Sequence, residues 1–356
     1  MRALRVTPKQ ANSARLDEIA LPDQREGAIL ARTLAIGVCG TDREIIAGDY
    51  GVAPQGDQRL TLGHESLGRV ESAPAQSGFK KDDLLVGIVR RPDPVPCVAC
   101  AHGEWDMCRN GQFTERGING RNGYCSEFFR IEPEFAVKVP TELGVHGVLV
   151  EPTSVVAKAW DHIDYIGRRS KSWQPRSALI TGAGPVGLLA ALLARQRNLE
   201  THVYDRADTG PKPELVREIG AKYYSGELNA IEQLKPDIVI ECTGAAPVIV
   251  QVMMHNACDA IVCLVGLSAV GRQMPVDVAA LNQSMVLQND LVFGSVNANR
   301  HHYELAVEAL QKADRNWLSR LITRRVHIAE WQAALDRRPD DIKVIIDFAA
   351  HDVRAH

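Results

Sequence analysis

SALITGAGPVGLLAALLARQR, residues 177–197, decides the fold. The apolar run SALIT leads into Gly182, Gly184, Pro185, Val186 and Gly187, and the chain continues at once with apolar residues at helical spacing. A G-x-G-x-x-G turn between a strand and a helix is built for a dinucleotide. The first two glycines permit a tight turn and close approach to a pyrophosphate, and the third lets helix and strand pack together. The helix N-terminus then offers unpaired N–H groups and a positive dipole end to the phosphates.

Downstream the same grammar repeats. THVY (201–204), ELVREIGA (214–221), DIVIEC (237–242), APVIVQVMMHN (246–256), AIVCLVG (260–266) and LVFGSV (291–296) alternate buried strand with helix. This pattern predicts parallel βαβ units and a doubly wound sheet. The second strand ends at Asp205, 23 residues after Gly182, near the spacing of the acid that binds a ribose diol. A carboxylate there accepts from the 2′- and 3′-hydroxyls of NAD and repels the 2′-phosphate of NADP. Arg206 follows and can pair with that phosphate. NAD is therefore favoured, with NADP or dual use open. Thr243, Gly266, Ser295 and Asn297, just beyond later strand ends, complete the expected cofactor contacts.

Upstream the grammar is different. Residues up to about 150 are irregular and rich in Gly, Pro and short strand-like runs such as 27–38, 65–73 and 83–91, which read as a mostly β domain with long loops. At the other end, HHYELAVEALQKA (301–313) reads as an amphipathic helix. The apolar strand DIKVIIDF (341–348) closes a tail too short to be a domain, which is expected to return to the first one. The expected division is a catalytic domain over 1–153, a dinucleotide-binding domain over 154–296 and a returning segment over 297–356.

Composition sets the outer limits. The chain has 356 residues, 45% hydrophobic and 24% charged, with a net charge of −3; this is the balance of a globular protein with no electrostatic pull on nucleic acid or anionic membrane. MRALRVTPKQ lacks the apolar core of a signal peptide, and no run reaches the ~18 apolar residues of a membrane span. A cytoplasmic protein follows, in which eight cysteines are metal ligands or core thiols before they are disulfides.

Cys39 in VCGTD, His64 in LGHES and Glu151 in VEPTS are the residue types of a catalytic zinc, which takes three protein ligands and keeps one position open. Each also has a plainer reading: a small core residue, a satisfied buried histidine, or an acid at a helix start. Taken together, CGTD, GHE and the EP pair, in that order and followed by the glycine fingerprint, resemble the zinc-dependent medium-chain dehydrogenase/reductase family over essentially the whole chain. That resemblance implies a GroES-like catalytic domain beside a Rossmann cofactor domain. It also implies a catalytic zinc on Cys39, His64 and Glu151, with Glu65 as a second acid beside the metal or exchanging onto it. Thr41 would take the substrate's hydroxyl proton. A homodimer or homotetramer is expected by the same analogy, with the edge strand near LVFGSV as the pairing surface.

The family's structural zinc lobe uses C-x2-C-x2-C-x7-C. Here Cys97, Cys100 and Cys108 stand in the last three positions and Pro94 in the first. Proline has no ligand atom, so Asp93, with His102 as a weaker choice, is the candidate fourth ligand; a metal-free lobe is the alternative. Cys125, Cys242, Cys258 and Cys263 read as core or incidental thiols.

Within the family the chain most resembles the glucose (aldose) 1-dehydrogenase branch, through CGTDREI (39–45), RRP (90–92), GQFTERGINGRNG (111–123) and GSVNANRHHYE (294–304). By that resemblance Thr41, Glu115, Glu151, Asn297 and His302 would meet a sugar, and C1 of an aldose would be oxidised to the lactone. Discriminating several hydroxyls requires acceptors and amides rather than an apolar slot. The plainer reading of Glu115 is a salt bridge to Arg116 or Arg121. The rivals are a polyol, threonine or simple-alcohol dehydrogenase on the same scaffold, and a non-catalytic dinucleotide-binding protein.

Overall fold

The computed structural model describes residues 1–268 and 273–348; the last eight residues of the segment 297–356 lie outside the described residues. The chain divides into two compact units, one formed by Met1–Glu151 with the segment from Asn297 onward, the other by Pro152–Val296.

In the first unit the ten-residue strand Ile29–Val38 organises a seven-stranded sheet. One edge pairs antiparallel with Glu65–Ser72. The other is shared: Ile29–Arg32 pairs with Phe128–Ile131, and Ala35–Val38 with Lys343–Asp347. The C-terminal strand therefore enters the sheet beside the residues that lead into Cys39. Lys343–Asp347 also pairs in parallel with Ile322–His327. All five of its residues are buried, Lys343 and Asp347 included, so those two charges need partners inside the protein. A small separate sheet pairs Arg90–Arg91 with Thr114–Arg116, setting Arg90 directly across from Glu115. Helix Arg300–Lys312 is amphipathic as its sequence predicts and buries Tyr303, Ala306, Val307 and Leu310.

The second unit is a six-stranded parallel sheet. Its strands run in the order Lys222–Tyr224, Glu200–Tyr204, Ser177–Thr181, Ile238–Glu241, Ile261–Leu264 and Leu291–Gly294, the doubly wound order with its switch point beside the first strand. Ile238–Glu241 is wholly buried, and helix Pro185–Gln196 buries eight consecutive residues from Gly187 to Ala194. No helix among the described residues is long and apolar enough to cross a membrane.

Candidate active site

Cys39 is the N-cap of helix Gly40–Ala47. Its Sγ accepts the Thr41 N–H at 3.3 Å, while Asp42 Oδ2 accepts the Cys39 N–H at 2.9 Å. This capping box fixes the thiol at the end of strand Ile29–Val38. His64 Nε2 lies 3.2 Å from Cys39 Sγ, and its Nδ1 is 3.5 Å from Asp42 Oδ1. One carboxylate thus caps the helix and stands beside the outer nitrogen of the imidazole, the position from which a metal-binding histidine is supported.

Ligand atoms of Cys39, His64 and Glu65 lie within 4.8 Å of one another. Glu65 is committed elsewhere, however: Lys343 Nζ donates to both of its oxygens at 2.7 and 2.6 Å. Gly37 makes the room, since a Cβ there would stand 1.9 Å from Glu65 Oε2. Glu151 feels the same cluster. Burial pushes its carboxyl up to about 7, with Glu65 adding to the rise while His64 and Lys343 oppose it. A thiol, an imidazole and two carboxyls crowded out of water favour a dication, which would reverse that shift. The donor set therefore fits zinc.

Beside this cluster lies a polar one. The turn after Glu115 rests on the residue before His64, for a Cβ on Gly117 would be 2.8 Å from Gly63 O. Glu115 Oε1 accepts from Arg90 Nε and Nη2 at 3.1 and 3.0 Å and from Asn297 Nδ2 at 2.7 Å. Its ion-pair partner is thus Arg90; the plainer alternative, a salt bridge to Arg116 or Arg121, is not the pairing formed. Those two arginines face Glu132 instead, because the strand register puts Arg90 opposite Glu115. His302 is buried in the cap of its helix, where Nδ1 accepts the Asn299 N–H at 3.3 Å and lies 3.9 Å from Asp106 Oδ2. It joins the Asp106 end of the cluster rather than Glu115.

In the cysteine lobe, Cys97, Cys100 and Cys108 bring their sulfurs within 4.8 Å of one another, and Cys108 Sγ is 3.5 Å from Asp93 Oδ2. His102 turns into its own helix, with Nδ1 at 2.7 Å from Val98 O. The Arg109 and Cys100 N–H groups pull the Cys97 thiol down to about 6, while burial pushes Cys100 up to about 11. Three thiols and a buried carboxyl fit a closed tetrahedral site. Of the remaining cysteines, Cys125 and Cys263 are buried, Cys242 is half-buried and Cys258 exposed.

The glycine turn of the second unit has the geometry its sequence predicts. Gly182 has φ 93°, and a Cβ on Gly187 would lie 1.7 Å from Gly182 O, whereas one on Gly184 would meet open space. Asp205 Oδ2 accepts the Ala183 N–H at 2.6 Å, its Oδ1 accepts the Ala207 N–H at 3.0 Å, and Lys212 Nζ lies 3.3 Å from both. Burial works against the charge, but these donors hold the carboxyl below its ordinary range. Arg206 is exposed. Gly266 packs against the loop that carries Thr243, where a Cβ on Gly266 would touch Gly244 N at 2.2 Å. Ser295 N–H donates to Leu264 O at 2.9 Å. Asn297 belongs to the other unit.

Comparison with known proteins follows this geometry. The Alcohol dehydrogenase GroES-like domain family matches residues 25–141, and the Glucose dehydrogenase C-terminus family matches residues 144–348. A glucose 1-dehydrogenase of Methanocella arvoryzae is 37% identical, covering 98% of this chain and 100% of its own. One from Caldivirga maquilingensis is 38% identical, with 98% and 99% covered. The solved Haloferax mediterranei glucose dehydrogenase, in complex with NADP, Zn and gluconolactone, superposes with a TM-score of 0.90 at 31% identity, covering 98% of this chain and 100% of that one.

The chain belongs to the glucose dehydrogenase branch of the zinc-dependent medium-chain dehydrogenases.

For a glucose dehydrogenase-family chain, the sequence pointed to the residues that stand in contiguous motifs and missed the ones that hold them. Lys343 and Arg90 lay inside quoted segments, yet nothing local signals a buried cation. Asp42 was legible as the N3 acid of a capping box. Lys212 and Glu241 gave no signal beyond their place near strand ends.

Proposed function

We propose that the protein oxidises the C1 hydroxyl of an aldopyranose, D-glucose first, to the lactone with NAD(P). The observation that carries this reading is the Glu115–Asn297 pair in the polar cluster beside His64, which presents the acceptor and amide chemistry a polyhydroxylated substrate requires and an aliphatic alcohol does not. The Haloferax mediterranei relative, whose complex contains gluconolactone, supports it.

Cys39, His64 and Glu151 are the proposed zinc ligands, and Lys343 keeps Glu65 beside the metal as a fixed acid. When bound, zinc stabilises the charge that develops on the substrate oxygen as its proton leaves, and the nicotinamide accepts the hydride. The Thr41 hydroxyl, at the start of the helix that Cys39 caps, accepts that proton as it passes its own on toward the cofactor ribose. Asp42 keeps His64 in the tautomer that offers Nε2 to the metal. Gly182, Gly184 and Gly187 receive the pyrophosphate and Asp205 the adenosine ribose. The Asp205 carboxylate favours NAD, while Lys212 and Arg206 supply positive charge that can admit the 2′-phosphate of NADP. Asp93 with the three lobe cysteines holds a second, structural zinc. Eight thiols suit a reducing, cytoplasmic compartment.

The protein is further proposed to be a homodimer or a dimer of dimers. Among the described residues, strand Leu291–Gly294 ends the parallel sheet with one edge open, and helix Val278–Gln288 has no buried residue, with Val278, Val286 and Leu287 exposed. An open edge next to apolar surface is what a two-fold copy covers.

The test is reduced-nicotinamide absorbance with D-glucose and NAD, then NADP, together with metal analysis. Turnover lost on chelation and restored by zinc is expected, with about two zinc ions per chain. Bound zinc with glucose inert on both cofactors would overturn the sugar reading and point to polyols and simple alcohols.

A further inference from the structure

Arg90, in the segment RRP, is buried at 7% exposure and touches neither metal-ligand cluster, yet its guanidinium joins two parts of the catalytic unit. Nε and Nη2 both donate to Glu115 Oε1. Nη1 donates to the backbone carbonyl of Asp106 at 3.2 Å, inside the cysteine lobe between Cys100 and Cys108. The Phe113 ring lies 3.8 Å from its Cζ and fixes the plane of the fork. From Asp106 the chain of contacts closes on itself. Asp106 Oδ1 accepts from Asn299 Nδ2 at 3.0 Å, Asn299 is two residues from Asn297, and Asn297 Nδ2 returns to Glu115 Oε1. Asn297 holds a left-handed backbone, φ 61°, and its Oδ1 accepts the Ala298 N–H at 2.9 Å, so its amide cannot swing freely.

All three donors to the Glu115 side chain fall on Oε1. Among the described residues, Oε2 receives no hydrogen bond. A carboxylate pinned by three donors on one oxygen keeps a fixed orientation and leaves the other oxygen available as an acceptor.

We propose that Arg90 is a positioning residue for substrate recognition: it holds Glu115 so that Oε2 faces a substrate hydroxyl, and the lobe carbonyl of Asp106 is its second anchor. This rests on the aldose reading given above. A plain charge-neutralising role would be met equally by lysine. Lysine cannot supply a fork to Glu115 and a third donor to Asp106 at once, so Arg90→Lys separates the two roles.

The experiment measures kcat and KM for D-glucose and for its 2-deoxy and 3-deoxy analogues, at saturating cofactor, in wild type, Arg90→Lys, Glu115→Gln and the double variant. Arg90→Lys is expected to raise KM for glucose by about tenfold or more, with a smaller change in kcat. It is also expected to lose most of the wild-type preference for glucose over the analogue whose hydroxyl Glu115 holds. The double variant should be no worse than Glu115→Gln alone, because both act through one contact. Asn299→Ala opens the same circuit while leaving Arg90 and Glu115 themselves intact, removing one donor from the Asp106 carboxylate; it should shift KM in the same direction by less, which covers a failure of Arg90→Lys to fold. Unchanged KM and discrimination in both Arg90→Lys and Asn299→Ala, or additive losses in the double variant, overturn the proposal. A wild type inert on every aldose overturns the sugar reading and this inference with it, whereas an active wild type with unaffected variants overturns this inference alone.

Discussion

Glu132 lies against Arg91, Arg116 and Arg121, so one half-buried carboxylate answers three guanidinium groups, two of them buried. Burial pushes its carboxyl upward, but Arg91, Arg121 and Arg116 outweigh that and hold it below the ordinary range. A carboxyl lowered on folding contributes stability that is complete above its unfolded pKa of about 4.3 and is lost as pH falls through the folded value. Glu132→Gln should therefore cost about 3 kcal/mol at pH 7, where it leaves buried cations unanswered. The gap from wild type should narrow once the pH drops below about 4. Urea denaturation at pH 7 and pH 4 measures both, and a gap that stays constant across that range would show that charge is not the reason. At this scale the sequence is legible where chemistry is written in neighbouring letters, as in Cys39 and His64. It is silent where the partner lies far along the chain: Lys343 stands 278 positions from Glu65 and could not be matched to it without the sheet that seats both.

The central strands of the parallel sheet were readable because they are apolar runs joined by helix-period runs, so the local pattern and the global topology agree; the edge strand Lys222–Tyr224, three residues long and partly exposed, gave no such signal. The first unit was readable only as a class. Its strand pairings are long-range, three of its strands are two residues long, and nothing local says that the last strand inserts beside Ile29–Val38. Even in the readable sheet a buried acid went unremarked. Glu241, the last residue of its strand, is fully buried. Its Oε1 accepts from Thr243 N at 2.7 Å and Thr181 Oγ1 at 3.2 Å, and its Oε2 from Gly244 N at 3.0 Å. It thereby ties the strand that opens the glycine turn to the loop carrying Thr243, at the carboxyl edge where such sheets bind ligands. Glu241→Gln keeps the volume but can turn an amide donor toward a backbone N–H. The dissociation constant for NADH, followed by its own fluorescence, should rise about tenfold. A constant equal to wild type would mean that the loop sets its own shape.

For the whole molecule, the proposed second copy would cover a surface of the cofactor unit. Helix Val278–Gln288 carries Val286 and Leu287 at 66% and 73% exposure, and Leu267 stands at 83%. A monomer tolerates scattered apolar residues, but the proposal rests on a helix that buries none of its own and a sheet that, among the described residues, ends in an unpaired strand edge. The glycine turn and Asp205 belong to other strands of that sheet, so an interface variant need not disturb them. Val286→Glu with Leu287→Glu should move the protein from dimer or tetramer to monomer in size-exclusion with light scattering, because two charges on each side of a two-fold contact repel and cannot be desolvated. A wild type that already runs as a monomer would remove the proposal, and a doubly charged variant that still assembles would place the contact on another face.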